Sequence, residues 1–74
     1  MGNYSHIPNE EIFQDIKDTE AEIVVLEREI KGLELLGDKM SMFKRDYKIN
    51  GIKERKDFIT KLRGILSERG VWHD

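Results

Sequence analysis

Leu33-Glu34-Leu35-Leu36-Gly37-Asp38-Lys39-Met40 (LELLGDKM) interrupts a long amphipathic pattern by placing a glycine where an apolar residue is due. How this stretch is read decides the fold. Upstream of it, Ile12, Ile16, Thr19, Ile23, Leu26, Ile30 and Leu33 recur at alternating spacings of four and three, the seam of a helix built to pack along another helix. Keeping that register downstream would require Gly37, Met40 and Lys44, whereas the apolar set that continues is Leu36, Met40, Phe43 and Tyr47. At 100° per residue the apolar stripe therefore turns by roughly 100° across LELLGDKM.

Two readings compete for the shift. In one, a single helix runs from residue 9 to residue 48 and packs different faces against different neighbours, with Gly32 and Gly37 admitting another backbone at about 1 kcal/mol each against alanine. In the other, the helix stops at Gly37 in a left-handed cap and Asp38 starts a new one. The unbroken helix is the favoured expectation. Pro8, with Asn9 as N-cap and Glu10 and Glu11 in the first turn, marks its start and leaves residues 1–8 as an extended arm. Thr19-Glu20-Ala21-Glu22 has the form of a capping box, but the seam passes through it in register, which favours continuity.

Beyond Tyr47, the Asn-Gly pair in Ile49-Asn50-Gly51-Ile52 predicts a turn over 49–51. A second helix is expected over 52–69, with Gly70 beyond its end, Val71 folded back on Leu66 and Trp72 covering the seam in a short tail, 70–74. The chain then reads as one all-α domain, a long helix followed by a shorter antiparallel one. The expected hairpin core is Leu36, Met40, Phe43 and Tyr47 against Phe58, Ile59, Leu62, Ile65 and Leu66.

Those lengths carry an inference about assembly. A helix from 9 to 48 spans on the order of 60 Å and one from 52 to 69 about 27 Å, so the second cannot cover the far end of the first. Ile12, Ile16, Ile23, Leu26, Ile30 and Leu33 are thus expected to meet a second chain, giving a coiled-coil or four-helix-bundle homodimer or a higher homo-oligomer. Size argues the same way: a chain of 74 residues without cysteine has few means of supplementing a small core other than association. The missing cysteine fits a reducing compartment and removes thiolate metal sites and thiol catalysis. No apolar run approaches the roughly 18 residues of a membrane span, no signal peptide is evident, and His6 stands where the Met1-Gly2 start of a myristoylation signal wants Ser or Thr. A cytoplasmic protein with no membrane contact is expected.

A formal net charge of −2 conceals a strongly divided chain. Residues 1–38 hold ten acidic and three basic side chains, whereas residues 39–63 hold nine basic and three acidic. Lys44, Arg45, Lys48, Lys53, Arg55 and Lys56 are candidates for contact with phosphates or nucleic acid. Glu20, Glu27 and Glu34, seven apart, form a candidate acidic face for a protein partner. The plainer reading is that acidic and basic segments lie along each other.

Catalytic, cofactor and metal sites are not expected. His6 and His73 lie outside the predicted helices without the carboxylate spacing of a proton relay or helical metal site, and no phosphate-binding glycine loop or nucleophile elbow is present. In size and charge the chain resembles the small helical proteins of phages and mobile elements, which often bind a host or structural protein. The expected function is a non-enzymatic helical module that self-associates and binds or inhibits a protein partner, its acidic face mimicking nucleic acid. The alternatives are a nucleic-acid-binding oligomer using residues 44–56 and a structural scaffold component.

Overall fold

Pro8 opens the first helix: its ring fixes φ at −63°, ψ is an extended 150°, and its carbonyl accepts the N–H groups of Glu11 and Ile12 at 3.1 and 3.2 Å. The computed structural model describes residues 6–72 and places them in two helices, α1 (Asn9–Leu36) and α2 (Lys39–Glu68). Asn9 is the first helical residue and not, as expected, the N-cap. Its side-chain oxygen instead accepts from Arg69 Nη1 at 2.8 Å, and the same nitrogen donates to the Ile7 carbonyl at 2.7 Å. The last residues of the expected 1–8 arm are therefore fixed: Ile7 packs against the core, while residues 1–5 lie outside the described part, as do His73 and Asp74.

The expected unbroken helix from 9 to 48 does not form. Gly37 adopts φ 69° and ψ 1°, and its N–H donates to the Leu33 carbonyl at 3.2 Å. A left-handed residue ends a helix, and glycine takes that conformation without the penalty a Cβ imposes. Asp38 follows in an extended conformation, its carboxylate accepting the Ser41 N–H at 3.3 Å and the Ser41 hydroxyl. Its carbonyl accepts the Met42 N–H at 3.0 Å. These bonds satisfy donors that the first turn of a helix leaves without partners, so stop and start are both written locally. Upstream, α1 passes through Thr19 without interruption, and Thr19 itself is buried.

The turn expected over 49–51 is also absent: Ile49, Asn50 and Gly51 lie inside α2. The helix frame overrides the Asn-Gly signal because a single seam, Ser41, Arg45, Lys48, Ile52, Arg55, Ile59, Leu62 and Leu66, runs the length of α2 at spacings of four and three, every member buried or half-buried. At the other end, Gly70 takes φ 77° and the Val71 N–H donates to the Leu66 carbonyl at 3.0 Å, the fold-back expected from the sequence.

With 28 and 30 residues the helices are nearly equal, and their long-range hydrogen bonds pair falling positions of α2 with rising positions of α1, as an antiparallel hairpin requires. The buried core is Ile12, Ile16 and Ile23 of α1 against Ile59, Leu62 and Leu66 of α2. Burying each such side chain contributes about 1.5–3 kcal/mol. Phe58, Ile65, Ile52 and Trp72 pack around this cluster. Trp72 lies 6.0 Å from the Phe13 ring, centroid to centroid, and 5.3 Å beneath the Arg63 guanidinium, closing the open end of the hairpin.

Candidate interaction surface

The seam expected to meet a second chain is filled from within this one. Ile12, Ile16 and Ile23 are buried under α2, and Leu26, Ile30 and Leu33 are half-buried on the same stripe. The break at Gly37 is the physical reason: it lengthens the second helix until it covers the whole of the first. The expected hairpin core divides in two. Ile59, Leu62 and Leu66 are buried, with Phe58 and Ile65 half-buried beside them, but Leu36, Met40, Phe43 and Tyr47 are 70%, 61%, 71% and 80% exposed.

The inward positions near the turn are taken by polar side chains. Ser41 is buried under its bond to Asp38. Arg45 lies 3.6 Å from Glu34, Lys48 3.0 Å from Glu29, and Arg55 2.8 Å from Glu22, while Arg55 Nη1 also donates to the Gly51 carbonyl at 3.1 Å. Further along, Arg63 pairs with Glu20 at 3.3 Å. Each pair joins acidic α1 to basic α2, and each is exposed enough to contribute at most about 1 kcal/mol. Arg45, Lys48 and Arg55 stand at inward positions with side chains only 29–38% exposed, the arrangement in which a long stem covers apolar surface and its charged end reaches water.

This pairing redistributes the candidate charged sites. Of the six basic residues, Arg45, Lys48 and Arg55 point at α1 carboxylates, whereas Lys44, Lys53 and Lys56 are exposed. At helical spacing the exposed three spread over more than one face of α2 and form no single patch. Of the acidic row, Glu20 and Glu34 are engaged by Arg63 and Arg45, and Glu27 is exposed. His6 is exposed at the chain entrance to α1. Among the described residues, no three His, Cys, Asp or Glu side chains converge to hold a metal ion, and no helix is long and apolar enough to cross a membrane.

Exposed apolar side chains lie on more than one face near the turn, Val24, Leu35 and Ile49 among them, and one flank gathers several. Met40, Phe43 and Tyr47 project from one side of α2. The Glu22–Arg55 and Glu29–Lys48 pairs fix which side of α1 adjoins it, and at 100° per residue that side carries Ala21, Val25 and Leu36. Shallow concavities run between Ala21 and Phe43: one is lined by Ala21, Glu22, Val25, Leu26 and Arg55, the next by Leu26, Tyr47, Lys48, Asn50, Gly51, Glu54 and Arg55, and a third by Phe43, Lys44, Tyr47 and Lys48. Apolar periodicity assigns these α2 residues to the core because they are the most visible stripe in the sequence. The signal that places them outside is the Asp38-to-Ser41 capping spacing, which fixes the start of α2 and with it the inward seam.

No protein-family model, curated protein or solved structure matches this chain.

Proposed function

We propose that this chain is a non-enzymatic helical interaction module that works by self-association, two hairpins joining their turn-end apolar flanks into a four-helix-bundle homodimer that presents charged outer faces to a protein partner. One observation carries the reading. Met40, Phe43 and Tyr47 share one face of α2 at helical spacing, Leu36 ends α1 just before the turn, and each is at least 61% exposed, a concentration of apolar surface of the kind that marks association sites. The small core adds support, since a two-helix hairpin with six buried apolar residues is marginal alone. The nucleic-acid reading has less support, because half of its basic residues face α1.

Mass in solution tests it. Light scattering should give twice the 8.7 kDa chain mass, and Phe43→Glu combined with Tyr47→Glu should give a monomer with its helical circular dichroism retained. A wild-type monomer at high micromolar concentration overturns the proposal.

A further inference from the structure

We infer the symmetry of the assembly: the two-fold axis runs parallel to the helices, so that each α1 lies against the partner copy's α2 and both turns sit at the same end. This rests on the dimer proposed above and adds the arrangement of its members. Two features together favour it, the second of which discriminates between the possible axes. The first is where the apolar strip lies. Leu36, Met40, Phe43 and Tyr47 are gathered at the turn end of a molecule 47 Å long. Of the two packings in which the hairpins overlap along their whole length face to face, the one with turns at the same end sets strip on strip; the head-to-tail one would set it against the opposite, more acidic end.

The second is charge. Helix α1 carries nine acidic and three basic side chains, α2 nine basic and four acidic. A head-to-tail face-to-face pair stacks α1 on α1 and α2 on α2, which sets like charges along both seams. The parallel axis sets α1 on α2 twice. Opposite potentials across an interface steer and orient association, and like potentials suppress the alternative.

The chain has no cysteine, so one introduced thiol reports alone. Lys39→Cys, at the first residue of α2, carries a spin label, and distances are read by pulsed electron resonance on a sample whose mass is measured in parallel. Gln14→Cys, near the open end, is the second, independent variant. A dimer with label separations under about 30 Å at both positions supports the arrangement, given interhelical spacings of about 8–10 Å. A dimer with a larger separation at either position overturns the arrangement alone, a short distance at residue 39 with one beyond about 40 Å at residue 14 marking a turn-to-turn pair. A monomer, or an oligomer larger than two, overturns both the arrangement and the dimer beneath it.

Discussion

The Asp38 carboxylate accepts both the backbone N–H, at 3.3 Å, and the hydroxyl of Ser41, and this local contact fixes where the second helix begins. Those bonds favour the charged carboxylate, the Ser41 hydroxyl most strongly, and hold the Asp38 pKa below its ordinary value. A group whose folded-state pKa is depressed contributes stability that is fully present above the unfolded value, about 3.9, and is lost as pH falls through the folded value. Asp38→Ala should therefore destabilise the chain more at pH 7 than at pH 2.5, in thermal melts followed by circular dichroism. An equal effect at both pH values would mean the carboxylate charge plays no part in the cap.

Gly37→Ala should cost about 1–2 kcal/mol, the penalty of a left-handed L-residue. A Cβ there would meet nothing closer than the Glu34 carbonyl oxygen at 4.0 Å, so the cost is conformational and not steric. Gly37→Asn should then cost distinctly less in urea titration, because asparagine tolerates this region.

Gly32→Ala should act in the opposite direction. Gly32 lies inside α1, and a methyl group added there would have nothing within 4 Å beyond its own helix backbone and chain neighbours. Alanine gains up to about 1 kcal/mol of helix propensity at such a position, read as a rise in the urea midpoint.

Leu62→Ala and Phe43→Ala should separate core from flank. Leu62 is fully buried, and its truncation should cost about 2–5 kcal/mol, enough to abolish cooperative unfolding in a marginal chain. Phe43, 71% exposed, should change the unfolding of dilute protein by less than about 0.5 kcal/mol while weakening association by mass measurement.

Much of the fold is legible in residue spacing, and what is not has a physical cause. Ile12, Ile16 and Ile23 are buried helix-seam residues, and Ile59, Leu62, Leu66 and Gly70 serve as expected, because apolar periodicity and a glycine after a helix report directly on burial and capping. The partner of the α1 seam is hidden because the α2 seam is polar over Ser41, Arg45, Lys48 and Arg55, and a reading keyed to apolar residues passes over it to Met40, Phe43 and Tyr47. The rotation of the apolar stripe at LELLGDKM fits either an unbroken helix or a cap at Gly37, and the short capping sequence through Asp38 and Ser41 decides for the cap.

The distribution of buried side chains along the hairpin also sets where it opens first. Ile12 through Ile23 and Ile59 through Leu66 hold the packed interior, while the segment joining them, between residues 24 and 58, buries only Ser41. Amide exchange with solvent should accordingly be graded, slowest at the end farthest from residues 37 and 38 and fastest around them, since local opening is easiest where the fewest apolar contacts must be broken. The chain is thus least rigid where its two helices are joined most directly, and whatever covers that region will slow exchange there before it changes exchange elsewhere.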